Sequence, residues 1–94
     1  MSLRQNRVAG SVVTVVYDDH EEAPAFQERK LETELRRLFP TGCGVTVVVD
    51  VAWSEEGAAW RLLRAQVELG GSPIEIAPGL ARSLKETGTP LSLA

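Results

Sequence analysis

The chain is poor in the residues that most chemistry requires. Among its 94 residues there is one cysteine and one histidine. A lone cysteine excludes an internal disulfide and any zinc site built from several thiolates. Aromatic residues make up 5% of the sequence, so each one carries weight. There is no excess of positive charge: the formal net charge is −3, which argues against a nucleic-acid partner. No apolar run approaches the roughly 18 residues that span a bilayer. The opening MSLRQNRVAG has no apolar core of a secretion signal. These absences point to a cytoplasmic protein with no membrane insertion.

What remains is ordinary globular composition, 44% hydrophobic and 24% charged. A chain this long is expected to form one domain over 1–94 with a single modest core, residues 1–7 being polar and frayed. The richest stretch runs from Gly44 to Gly71. Val45, Val47, Val48, Val49 and Val51 form a near-continuous apolar run, as in a strand buried on both faces. Ser54 then stands where an N-cap would, with Glu55 and Glu56 at the positive end of a helix dipole. Ala59, Leu62, Leu63 and Val67 follow at helical spacing, and Gly70-Gly71 is a stop signal.

The rest of the chain fits around that unit. Val8–Tyr17 reads as a first strand, rich in β-branched residues. Asp18 to Glu22 is a charged loop. Pro24 opens a helix that runs to about Phe39, with Leu31, Leu35 and Leu38 on one face. The second strand spans Val45–Ala52 and the second helix spans Glu55–Leu69. Ser72–Ile76 is a short strand, and Pro78–Thr87 is a third helix closed by Gly88. The order β-α-β-α-β-α predicts an α/β fold with a small, mostly parallel sheet. A second reading comes from the alternation of Leu63, Ala65, Val67 and Leu69 with Arg64, Gln66 and Glu68. On that reading SEEG is a hairpin loop and the fold is ferredoxin-like. Helix formers dominate the segment, which favours the helix.

No catalytic set emerges. His20 lies in a run of acids (DDHEE), a context more typical of a solvated loop than of a metal site. Cys43 stands between glycines with no base nearby in sequence. Adjacent carboxylates such as Asp18-Asp19 and Glu55-Glu56 do not oppose one another across a substrate. The reading is therefore not an enzyme, with no cofactor and no metal. Trp53 and Trp60 flank the SEEG turn, either as an exposed contact patch or as a cover for the end of the core.

The valine-rich strand ending VTVVVDV, a polar turn, a segment closed by GG, the short PIEIA strand and LARSLKETG together resemble the STAS domain. That is the fold of bacterial anti-sigma-factor antagonists and of the cytoplasmic ends of sulfate transporters. The resemblance covers roughly residues 11–91. It implies a partner-switching module that docks an anti-sigma, serine-kinase-like or transporter partner. It also implies a phosphorylated serine at the start of the second helix. Ser54, Glu55, Glu56 and Gly57 occupy that turn: Ser54 holds the phosphorylated place on one alignment, and Glu56 holds it as a fixed negative charge on the other. Trp53, Trp60, Arg61 and Arg64 are the expected partner-binding residues. Two other classes stand beside this one: a thioredoxin-like or ferredoxin-like small-ligand domain without redox chemistry, and an oligomerising role through an edge strand at Ile74–Ile76.

Overall fold

The computed structural model describes residues 4–8, 13–18, 21–40, 42 and 44–92; the side chains of 4–8 and of 69 are not described. Six strands and two helices follow one another as β1 (Arg4–Val8), β2 (Val13–Asp18), α1 (Ala25–Leu38), β3 (Thr46–Ser54), β4 (Ala59–Leu69), β5 (Ser72–Glu75), α2 (Ala77–Glu86) and β6 (Leu91–Ser92). All strands belong to one sheet in the order β1-β2-β3-β4-β5, with β6 also beside β4. The pairs β2–β3 and β4–β6 are parallel. The pairs β1–β2, β3–β4 and β4–β5 are antiparallel. The fold is mixed α/β, as expected, but the sheet is mainly antiparallel. The direct β2–β3 pairing also differs from the ferredoxin-like arrangement, in which the crossover is split around another strand.

The core lies on one face of the sheet. Val13, Val15 and Tyr17 of β2 line up with Val47, Val49, Val51 and Trp53 of β3 and with Trp60 and Ala65 of β4. Leu31 and Leu35 of α1 and Leu80 and Leu84 of α2 join the same cluster, so both helices cover that face. Alternation puts Thr14, Val16, Val48, Asp50 and Ala52 on the other face, which carries no helix among the described residues. The near-continuous valine run thus reflects a central strand with one face covered and one half-exposed.

Three expectations need correction. Residues 59–69 form a strand, not a helix. The segment pairs with β3 along its length, and its helix-like spacing comes from a β-bulge opposite Asp50/Val51, where the pairing moves from Asp50↔Arg64 to Val51↔Leu62 and Leu63 is the extra residue. Inward positions therefore run Trp60, Leu62, then Ala65, Val67. That spacing of three in the middle is what a helix would show. Second, Gly70 and Gly71, at φ +61° and +85°, do not cap a helix; they form the two-residue turn of the β4–β5 hairpin, where both positions need left-handed backbone. Third, residues 4–8 are not a frayed end but an edge strand, pairing from Arg4↔Asp18 to Val8↔Thr14. The first strand on the core face accordingly starts at Val13 rather than Val8, and residues 9–12 lie outside the described residues. The helices α1 and α2 fall within a residue or so of their predicted spans. At the end of the chain, Thr89-Pro90-Leu91 does not turn away. The Trp60 amide donates to the Pro90 carbonyl at 2.8 Å, which brings β6 beside β4.

Candidate functional site

The parallel strands β2 and β3 both end at the same side of the molecule, where α1 begins and the β3–β4 turn closes. Here the chain forms a cleft of about 120 Å³ lined by Tyr17, Asp18, Glu21, Glu22, Ala23, Glu28 and Trp60. Each element supplies a different part. The end of β2 gives Tyr17 and Asp18. The connection to α1 gives Glu21, Glu22 and Ala23. The first turn of α1 gives Glu28, a carboxylate well placed against the helix dipole. The start of β4 gives Trp60.

Four of the seven lining residues are carboxylic acids, and among the described residues no basic side chain lines the cleft. The inner wall is aromatic. Tyr17 and Trp60 are both buried, with ring centres 5.7 Å apart. Trp53 meets Trp60 edge to face at 5.0 Å. The Tyr17 hydroxyl donates to Glu32 Oε2 at 2.5 Å, which ties β2 to α1 behind the cleft. The Glu55 amide donates to Glu21 Oε1 at 3.3 Å, so the β3–β4 turn is linked to the cleft rim. The Trp60 Nε1–H is shielded from solvent and has no hydrogen-bond acceptor among the described residues.

These observations decide where the predicted residues sit. Trp53 and Trp60 face one another across the β3–β4 ladder and are 6% and 1% exposed, so they close the end of the core and are not an exposed patch. Ser54 is the last residue of β3. Its Oγ accepts from the Gly57 amide at 3.2 Å, so it caps a hairpin turn and not a helix. A Cβ on Gly57 would meet that oxygen at 3.4 Å. Glu55 and Glu56 are exposed in the turn, which is completed by Ala58 in left-handed backbone at φ 49°. Arg61 and Arg64 are exposed on the sheet face away from the tryptophans. Arg64 reaches Asp50 Oδ2 at 3.3 Å, so its charge is already engaged by a buried carboxylate. The expected partner-binding set is thus divided between two faces. The serine, the acids and the two tryptophans do meet at one end.

Glu21, Glu22 and Glu28 were not among the predicted site residues. A run of acids before a helix reads as a solvated loop, and nothing in it announces that β2 will aim Tyr17 beneath it. His20 and Cys43 lie outside the described residues. Among the described residues, no group of three or more His, Cys, Asp or Glu is placed to hold a metal ion. Among them also, no helix is long and apolar enough to cross a membrane.

The cleft's size and charge limit what it can take. Drug-sized and nucleotide-sized ligands occupy roughly 300–1,000 Å³. A cleft of about 120 Å³ takes one small group. The carboxylates repel a phosphate and attract a cation, and aromatic faces nearby favour the same sign. No family model matches the chain, and neither a curated protein nor a solved structure is found to be similar to it.

Proposed function

We propose that this protein is a non-catalytic interaction module that receives a basic side chain of a protein partner in the acidic cleft at the end of β2. The observation that carries this reading is the pairing of four carboxylates with an aromatic inner wall in a space fit for one lysine or arginine head group. Such a group would bring its charge to Glu21 and Glu22 and lay its apolar stem toward Tyr17 and Trp60. The resemblance to STAS domains supports the same end of the molecule, because the Ser54–Gly57 turn borders the cleft through the Glu55–Glu21 hydrogen bond. A phosphorylated serine at the start of a helix, which the resemblance implies, has no counterpart here, since the segment after the turn is a strand. The regulatory role and the cytoplasmic setting rest on that resemblance and on the sparse cysteine.

The test uses a short capped peptide, acetyl-Gly-Arg-Gly-amide, against its Gln counterpart. Exposed ion pairs and a cation–π contact sum to roughly millimolar affinity for an isolated side chain. Saturable amide shifts are expected at Tyr17, Glu22 and Trp60 with the arginine peptide only. They should vanish in the Glu21→Gln/Glu22→Gln protein. Equal shifts with the glutamine peptide would overturn the reading.

A second reading, a small-ligand domain, has one observation in its favour. A groove of about 620 Å³ lies at the other end of the sheet, lined by Leu38, Phe39, Ile76, Pro78 and Leu80 among others. Binding of a small apolar probe there, with amide shifts at Phe39 and Ile76, would support that alternative.

A further inference from the structure

The helical layer carries most of the positive charge of this acidic chain. Together α1 and α2 hold six of its ten lysines and arginines but four of its thirteen acids. All six cations, Arg29, Lys30, Arg36, Arg37, Arg82 and Lys85, are exposed. Of the four acids, Glu86 alone is exposed. The other three turn aside or inward. Glu28 lines the acidic cleft, Glu32 accepts from the Tyr17 hydroxyl, and Glu34 is buried. Helical spacing is the cause. Leu31, Glu34 and Leu35 take the inward side of α1, which leaves its four cations on the outward side. Arg37 meets Glu34 at 3.5 Å yet keeps 68% of its side chain exposed.

We infer that this outward layer docks on an anionic lipid bilayer, resting on its surface with no segment spanning it. The inference is independent of the acidic cleft. Three features select this partner. The cations come from two helices that cover the same face of the sheet, so they spread over a layer and do not line a slot. Phe26 is 58% exposed and stands one helical turn from Lys30, in the row that continues to Thr33 and Arg37. An apolar groove that includes Leu38, Phe39, Ile76 and Leu80 opens between the end of α1 and the start of α2. Cations interleaved with apolar surface match anionic headgroups over hydrocarbon. An acidic peptide or a nucleic acid would answer the charge alone. The net charge of −3 opposes docking little, because the Debye length of about 8 Å at physiological salt is short beside a fold 23 Å across its thinnest axis.

The test sediments the full chain with vesicles of phosphatidylcholine, with and without phosphatidylserine. Binding is expected only with phosphatidylserine present, and high salt should abolish it. Each cation near such a surface strengthens binding about fivefold, so Arg29→Gln/Lys30→Gln/Arg36→Gln should weaken it about a hundredfold. Phe26→Ser should weaken it about two- to tenfold by removing apolar contact. Arg61→Gln/Arg64→Gln, on the opposite face of the sheet, should stay within about twofold of the parent. Unchanged circular dichroism shows that the exposed substitutions leave the fold intact. Equal binding to both kinds of vesicle, or to neither at low salt, overturns the inference. So does an equal loss in the Arg61/Arg64 variant. Displacement from the vesicles by polyglutamate or duplex DNA, with no effect of Phe26→Ser, would assign the face to a soluble polyanion and overturn it too.

Discussion

Replacing Trp60 by phenylalanine should cost almost nothing, although Trp60 is among the most deeply buried side chains in the molecule. The indole is 1% exposed and packs against Trp53 and Tyr17. Losing part of the ring forfeits about 2 kcal/mol of packing and burial. Its Nε1–H, however, is buried without an acceptor among the described residues. A buried, unsatisfied donor costs about 1–3 kcal/mol, and phenylalanine removes it. The two contributions cancel, so Trp60→Phe should lie within about 1 kcal/mol of the parent. Trp53→Phe is the control. Trp53 occupies the facing ladder position and contributes a comparable ring, but its indole N–H is not among the buried, unsatisfied donors of the described residues. It should lose about 2 kcal/mol with no offset. Trp60→Ala should lose about 3–5 kcal/mol, out of a total on the order of 5–14 kcal/mol for a chain of this length. Urea unfolding followed by far-ultraviolet circular dichroism reads all three without relying on the altered fluorophores. If Trp60→Phe proves as damaging as Trp53→Phe, the indole donor has a partner and the reasoning fails.

Other outcomes follow from the turns and the core. Gly71 sits at φ +85° with open space around its Cβ direction, so Gly71→Ala should lose about 1–2 kcal/mol from backbone strain alone; urea midpoints would show it, and a neutral result would mean the turn relaxes. Ser54→Ala removes the oxygen that accepts from the Gly57 amide, and at this exposed turn it should cost no more than about 1 kcal/mol by thermal unfolding. Leu35→Ala, at a fully buried position of α1, should lose about 2–5 kcal/mol in urea. Arg64→Ala should change stability by about 1 kcal/mol or less, because the arginine end of its pair with Asp50 is 56% exposed and solvent screens the attraction.

Much of the fold can be read from residues whose environment is local. Leu31, Leu35 and Leu38 mark α1, and Pro24 marks its start, because helical spacing on one face depends only on neighbours in the chain. The short strand β5 and the helix α2 are legible from local residues too. The segment 59–69 misleads for a non-local reason. Ala, Leu, Arg and Gln favour a helix, but the decisive partner is β3, which offers a full ladder to an antiparallel strand. The bulge at Leu63 then shifts the alternation by one residue and blurs its period. Gly70-Gly71 cannot arbitrate, since left-handed backbone serves a helix end and a tight hairpin equally. In the candidate site, the tryptophans and the SEEG turn are visible in sequence because they flank one another. The acids of the α1 approach become part of the site only through the parallel pairing of β2 with β3, a contact between strands more than thirty positions apart.

The eleven-residue β4 touches three other strands, and this shapes how the protein must assemble. The β3–β4–β5 meander joins neighbours in the chain through tight connections, so its loop-closure entropy is small and it can form early. The parallel contacts, β2 with β3 and β6 with β4, need longer chain excursions and come later. Amide exchange should therefore be slowest in the middle of β3 and β4. It should be fastest at Leu91 and Ser92, so that the last strand opens and closes many times for each time the molecule unfolds.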